Sequence, residues 1–426
     1  MSAIAQDRAA AARSESGRLP ANYRIPMAAA LAIERIANAL LRDLAFLLWP
    51  RKRPRSAARV CVYRIGNIGD MVCALPAIHA IRRAYPEAHL TLLTSPGLRG
   101  AAWTGELLED LGWFDAIDVY HAEDIAGWRK LFAMARRLRA RRFDVWIELP
   151  PALAPFRVML RNLLLAGGTG VRWAGGWELA TVRTGRQAQS ESREFDDEVV
   201  RLLKITAALG IDGDDAAFPL ALPARHHRRA EEILSTANLA GRRLIAIAPG
   251  AKRPTNRWPT ERFIEVARRF AARGFGIAII GGASERELCA RVETGAGGDL
   301  AVNLAGRCSV PESCAVLARC DLLICNDSGV QHLAAAMGTR CVSIFAARDL
   351  GLRWRPHGSG HVAIRKWVPC HTCLLEVCPY DNRCVGLITV DEVAAAAERI
   401  LRSASEPGSD GACASHTESE IRLRSA

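Results

Sequence analysis

Aromatic residues make up only 6% of this 426-residue chain, and neither zinc-finger spacing nor a nucleic-acid-binding signature accompanies its surplus of cations. Nucleic acid is therefore set aside as a partner. The first 26 residues are polar and alanine-rich and lack the apolar stretch that a cleavable signal requires. The G-x-G-x-x-G fingerprint of dinucleotide-binding turns is missing as well. The glycine-rich turn after the first apolar run, RIGNIGD, has G-x-x-G spacing through Gly66 and Gly69, which disfavours a dehydrogenase.

Half of the residues are hydrophobic, enough for two or three domains with ample cores. The 57 Lys and Arg outnumber the 45 Asp and Glu to give a net charge of +12, and arginine dominates, which favours phosphate-bearing or anionic-surface partners. Several of the 13 cysteines sit in apolar runs (Cys61, Cys73, Cys325, Cys341), where a reduced thiol behaves as a small hydrophobe. A reducing cytoplasm is the expected compartment. The stretch MAAALAIERIANALLRDLAFLLW, Met27 to Trp49, places Glu34, Asn38 and Arg42 in one narrow polar stripe and runs into PRKRPR. Its internal charges make it a poor membrane span. An amphipathic helix with a basic flank suits an anionic membrane surface; a helix docked on its own protein or on a second subunit is the alternative.

From Arg59 to about Leu401 short apolar runs alternate with amphipathic stretches, the pattern of parallel sheets crossed by helices. Strands are expected at 60–63, 90–94, 144–149, 244–249, 276–282, 321–327 and 341–346. They form two clusters separated by PARHHRRAEE, which reads as a helix. The expected organisation is an N-terminal extension (1–57), a first Rossmann-like domain (58–222), a second (223–402) and a disordered tail (403–426) low in apolar residues. Weakly periodic residues Gly167 to Arg193 are expected to form loops over the cleft. Two doubly wound halves would hold a ligand between them, at the carboxyl ends of their strands.

Three motifs face that cleft. Asp70 follows Gly69 at the start of a helix, where an Asp commonly caps. The run IAIAPGAKRPTNRWP, 245–259, is a strand, a turn and a loop carrying Lys252, Arg253 and Arg257, cations that suit a diphosphate. A solvated basic loop is the plainer reading, but it leaves Trp258 unexplained. The run NDSGVQHLAAAMG, 326–338, opens a helix whose backbone N–H groups around Ser328 and Gly329 can face an anion. Asp327 can accept from a hydroxyl or cap, and His332 by default is a packed histidine. A fourth constellation, Cys370, Cys373, Cys378 and Cys384, has C-x2-C-x4-C-x5-C spacing. It suits a structural zinc or an iron–sulfur cluster, although a second C-x2-C is lacking.

Taken together, GNIGDMVCALPAIHAIRRAYP, PGAKRPTNRWP with the strand that follows, and LAGRCSVPESCAVLARCDLLICNDSGVQHLAAAMGT resemble glycosyltransferase family 9, the ADP-heptose:lipopolysaccharide heptosyltransferases. The resemblance implies a GT-B fold and inverting, metal-independent transfer from a nucleotide sugar, with no cofactor required. It assigns the catalytic base to Asp70 beside the glycine turn of Gly66 and Gly69. Donor contacts fall on Lys252, Asn256, Arg257, Glu285, Asp327, Ser328, Gly329 and His332, with Glu287 almost as well placed as Glu285 for the ribose. Cysteine-rich stretches recur in the family as structural loops. The chain departs from the family where Asn256 replaces the usual lysine, which Lys252 on the same loop can replace, and where Ala346 stands for a glycine in FAARD. The expected enzyme is peripheral, at the inner face of a bacterial inner membrane. It would move a heptose or related sugar, expected from ADP-heptose, to a lipopolysaccharide-type or other lipid-linked glycan. Alternatives are a GT-B transferase using another nucleotide sugar and a non-catalytic nucleotide-sugar-binding or assembly protein.

Overall fold

The computed structural model describes residues 27–403 except 50–51, 97–103, 153, 155, 178–195, 215–217 and 219, with side chains of the first helix from Ile36 onward, Asn38 excepted. The expected tail beyond 403 and most of the expected loop before Arg193 lie outside these residues.

In the first half, β1 (Arg59–Ile65), β2 (His89–Ser95), β3 (Ala116–Val119), β4 (Val145–Glu148) and β5 (Trp173–Gly175) form a parallel sheet in the order β3-β2-β1-β4-β5. In the second, β6 (Leu244–Ala248), β7 (Gly276–Ile279), β8 (Ala301–Asn303), β9 (Leu322–Asn326), β10 (Cys341–Phe345) and β11 (Val362–Arg365) pair in parallel as β11-β10-β9-β6-β7-β8. The central strands are buried along their length, which is why they read as unbroken apolar runs. All seven expected strands are present. The other four are edge strands of three or four residues, too short to announce themselves. Strand β5 corrects the expectation that its segment is all loop. In each sheet the order reverses beside the first strand, so the loops after β1, β6 and β9 open at the switch points where ligands bind.

Helices of the first half are α1 (Met27–Leu48), α2 (Ile68–Ala84), α3 (Gly105–Asp110), α4 (Trp128–Arg139), α5 (Phe156–Gly168) and α6 (Glu198–Ala208). Those of the second are α7 (Ala224–Thr236), α8 (Thr260–Ala271), α9 (Arg286–Ala296), α10 (Val310–Ala318), α11 (Gly329–Ala336), α12 (Arg383–Gly386) and α13 (Val390–Ser403). One apolar cluster runs from the first sheet through α2 and α11 into the second half, and another lies on the far face of the second sheet under α8, α9 and α13. The halves also meet through Asp110 of α3, which binds His226 Nε2 of α7 at 2.6 Å.

Helix α1 packs in part on its own protein. Leu41 is buried, and at its end Trp49 stacks on Trp177 at 5.5 Å and donates to the Val171 carbonyl at 3.0 Å. Ile36, Leu40, Phe46 and Leu47 remain exposed. Among the described residues no helix is long and apolar enough to cross a membrane.

Candidate active site

The carboxyl ends of the two sheets face one cavity of about 520 Å³. Its lining from the first half includes Asn67, Gly69, Asp70, Pro151, Val158 and Arg161; from the second it includes Lys252, Arg253, Asn256, Asp327, Ser328, Gly329 and His332.

The turn after β1 is shaped around Asp70. A Cβ on Gly66, whose φ is +157°, would lie 2.2 Å from Asp70 Cβ, so only glycine fits there. Asn67 caps α2, and Asp70 stands three residues later, its Oδ2 accepting from the Asn67 N–H at 2.8 Å. The capping role foreseen for Asp70 is thus present, but it occupies one oxygen. Oδ1 makes no hydrogen bond among the described residues; Arg64 Nη2 stands 3.8 Å away. Arg64 is fully buried. It donates to the carbonyls of Leu149, Pro150 and Asp70 at 3.2, 3.0 and 2.9 Å and to Glu198 Oε1 at 3.2 Å. One guanidinium therefore ties the base of α2 to the wall of the cavity. Burial opposes the charge on Glu198, but Arg201 and Arg64 outweigh it and hold its pKa below the usual range.

On the opposite side, Asn326 fixes the cationic loop. Its Nδ2 donates to the Pro249 carbonyl at 2.8 Å and its Oδ1 accepts from the Trp258 N–H at 2.9 Å. Trp258 itself is core: its Nε1 donates to Ile388 O at 2.9 Å and its ring meets Phe263 edge-on, which explains its place beside the cations without a ligand. Lys252 reaches across the cleft to Asn67 Oδ1 at 2.9 Å. Arg257 does not line the cavity; it is exposed and braces the loop by donating to Ala251 O at 2.9 Å. Glu285 lies at the strand ends, not on the cavity wall. Its Oε2 accepts from the Gly282 N–H at 2.9 Å, and a Cβ on Gly250 would fall 1.9 Å from its Oε1. The exposed Glu287 has no such packing.

Asn256, in the usual lysine's position, is buried and donates to Asp327 Oδ2 at 3.2 Å, while Gln331 donates to Oδ1 at 3.0 Å. Desolvation, then the nearby Asp349, raise the Asp327 pKa to about 7, outweighing the Gln331 hydrogen bond and the more distant Arg348 and Arg253, which lower it. Around it the buried Asn256 Oδ1, Ser328 Oγ and Gln331 Oε1 find no partner among the described residues, a concentration of unsatisfied polar atoms that suits a polar ligand. Ser328 caps α11 and Gly329 opens it. His332 is buried, its Nδ1 3.2 Å from Cys73 Sγ, and desolvation lowers its pKa to about 4. It is neutral and sits at the contact between the halves, where Gly69 and Gly329 also touch.

The four cysteines of the 370–384 loop line one small cavity of about 20 Å³. Among the described residues no three His, Cys, Asp or Glu side chains stand where they could hold a metal ion. The zinc suggested by their spacing finds no coordinating set among the described residues; Cys378 Sγ accepts from the Tyr380 N–H at 3.4 Å.

The order of motifs and the paired parallel sheets decide the family. A model of glycosyltransferase family 9 (heptosyltransferase) matches residues 131–383. The chain belongs to that family, and it is a glycosyltransferase. It is 20% identical over 305 residues to the lipopolysaccharide core heptosyltransferase OpsX of Haemophilus influenzae, covering 70% of this chain and 82% of that protein. Its fold matches a solved family 9 glycosyltransferase of Veillonella parvula with TM-score 0.62 and 20% identity, over 83% of this chain and 99% of that one. It also matches the E. coli ADP-heptose LPS heptosyltransferase II with TM-score 0.57 and 19% identity, over 82% and 100%. The architecture is GT-B. The lining residues Asn67 and Arg161, and the buried Arg64 and Gln331 that hold Asp70 and Asp327 from behind, were not singled out from sequence, because each looks like an ordinary turn, helix or strand residue until the fold gathers them.

Proposed function

We propose that this glycosyltransferase moves a heptose from ADP-heptose to a lipopolysaccharide core or similar lipid-linked glycan, with inversion and without a metal. The observation that carries the reading is the placement of Asp70 across one cavity from the cluster of Asn256, Asp327 and Ser328. In this reading Asp70 Oδ1 takes the proton of an acceptor hydroxyl as its oxygen attacks the anomeric carbon. The bond from that carbon to the donor phosphate breaks, and the nucleoside diphosphate leaves with the electron pair. Lys252 and Arg253, with the N–H groups of Ser328 and Gly329 at the start of α11, meet the developing negative charge. Glu285 is our choice for the ribose. We take 58–222 as the acceptor-side domain and 223–402 as the donor domain.

The membrane-anchored nature of such an acceptor, the exposed apolar face of α1 and the net charge of +12 support a peripheral position on an anionic membrane, at the inner face of the inner membrane.

The test is nucleoside diphosphate release from ADP-, UDP- and GDP-linked sugars with a lipid-linked acceptor extract, for the wild type and Asp70→Asn. Asparagine keeps an acceptor for the Asn67 N–H but cannot take a proton. Acceptor-dependent release with the ADP donor, reduced at least about 100-fold in the variant at unchanged melting temperature, is expected. Donor binding without turnover, or full activity of Asp70→Asn, overturns it.

A further inference from the structure

We propose that α1, α4 and α5 form a single membrane-binding face, extending the peripheral reading of α1 to a three-helix surface whose partner is an anionic lipid bilayer. The inference rests on that reading and goes beyond it in residues and geometry.

The three helices are contiguous. The last turn of α5 lies between the other two: a Cβ on Gly167 would sit 3.7 Å from Leu48 Cδ1 of α1, and one on Gly168 only 2.9 Å from Ala135 Cβ of α4. The glycine pair lets both neighbours close on α5. The outward surface of this layer is apolar to an unusual degree. Among the described residues 13 large hydrophobic side chains are exposed, and eight of them lie on these three helices. Leu47 is 76% exposed, Trp128 74% and Phe132 70%, while Leu164 stands on α5 between them. Such a concentration marks an interaction surface.

Charge selects the partner. Helices α4 and α5 carry Arg129, Lys130, Arg136, Arg137, Arg139, Arg157 and Arg161 and no carboxylate at all. A second copy docking about a two-fold axis would bring these cations against one another. Anionic headgroups complement them, and an aromatic side chain flanked by cations is the composition of a helix lying in a membrane interface. In α4, Arg129 already lies over the Trp128 ring at 5.3 Å. The face also leads to the cleft, since Val158 and Arg161 of α5 line the active-site cavity. An acceptor anchored in the bilayer would reach the cleft along the helix that touches both.

The full chain is to be sedimented with vesicles of phosphatidylglycerol and phosphatidylcholine (1:3) and of phosphatidylcholine alone, at low and high salt. Binding is expected only to the anionic vesicles and to weaken with salt. The double variants Trp128→Ser/Phe132→Ser on α4 and Phe46→Ser/Leu47→Ser on α1 are each expected to weaken partitioning about tenfold or more, with melting temperature and elution volume unchanged. If only the α1 variant loses binding, the three-helix face is wrong and the simpler reading of α1 stands. If the wild type binds neither vesicle, both fail. A wild-type dimer that the α4 variant dissociates would assign the face to a second copy and overturn the proposal.

Discussion

Gly69→Ala tests whether the two halves must touch at their motif glycines. Gly69 lies in the first turn of α2 without positive φ, so alanine brings no backbone strain and gains up to about 1 kcal/mol of helix propensity. The added Cβ would stand 2.9 Å from His332 Cδ2 and 3.1 Å from Gly329 Cα. An ordinary carbon contact needs about 3.5–4.0 Å, so α2 and α11 must separate by roughly half an ångström or more. His332 cannot swing away freely, because Cys73 holds its Nδ1 at 3.2 Å and Trp354 flanks its ring. Overpacking of this kind costs about 1–3 kcal/mol, partly offset by propensity, so the net loss of stability is expected to stay within about 2 kcal/mol. The larger effect is expected on the reaction, since the displacement lies between Asp70 and the cluster of Asn256, Asp327 and Ser328, and misplacement by about 1 Å can slow an oriented reaction about 100-fold. A kcat/KM for acceptor-dependent diphosphate release some 10- to 100-fold below wild type is expected, with nucleotide binding retained. Gly386→Ala, a helical glycine whose Cβ would meet nothing within 4 Å, is the control and should match wild type. Unchanged kcat/KM in Gly69→Ala, or a loss explained wholly by unfolding at assay temperature, would refute the reasoning.

Other substitutions separate the remaining parts. Lys252→Ala removes an exposed cation bridging to Asn67; stability should move by less than about 0.5 kcal/mol, while KM for the donor rises severalfold in steady-state assays. Asn326→Ala leaves the Pro249 carbonyl and Trp258 N–H without their partner, and chemical denaturation should show a loss of about 1–3 kcal/mol. Glu148 is buried among Asn162, Trp146 and Tyr63, and desolvation raises its pKa from 4.5 to about 8. Between those values the folded chain keeps a proton that the unfolded chain has released. Its contribution is full below pH 4.5, declines as pH rises and is gone above about pH 8. Glu148→Gln cannot lose that proton. Its stability relative to wild type should therefore rise with pH across the window, by up to about 1.4 kcal/mol per pH unit, in melts at pH 5 to 8.5; a constant difference would contradict the buried, neutral state.

The sequence by itself determined the parts whose cause is local. Unbroken apolar runs specified the seven central strands, because strands buried on both faces admit no polar alternation. The spacing of Gly66 and Asp70 specified a turn that its own residues enforce, and the cations of 252–257 and the Asp-Ser-Gly helix start were legible as features that suit an anion. Local patterning did not reveal the short edge strands, which carry too few residues to show a period. Nor could it tell Arg257, which braces its loop, from Lys252, which faces the cleft, because both are cations on one loop until a fold orients them. Trp258, unexplained beside the cations in sequence, is core, and its partner Ile388 lies 130 residues away. Only the tertiary structure placed Arg64 beneath Asp70, brought Gly69 against Gly329 and set α5 between α1 and α4. Those contacts join residues far apart in sequence, and their energy exists only once both sheets have formed and their helices have closed on each other.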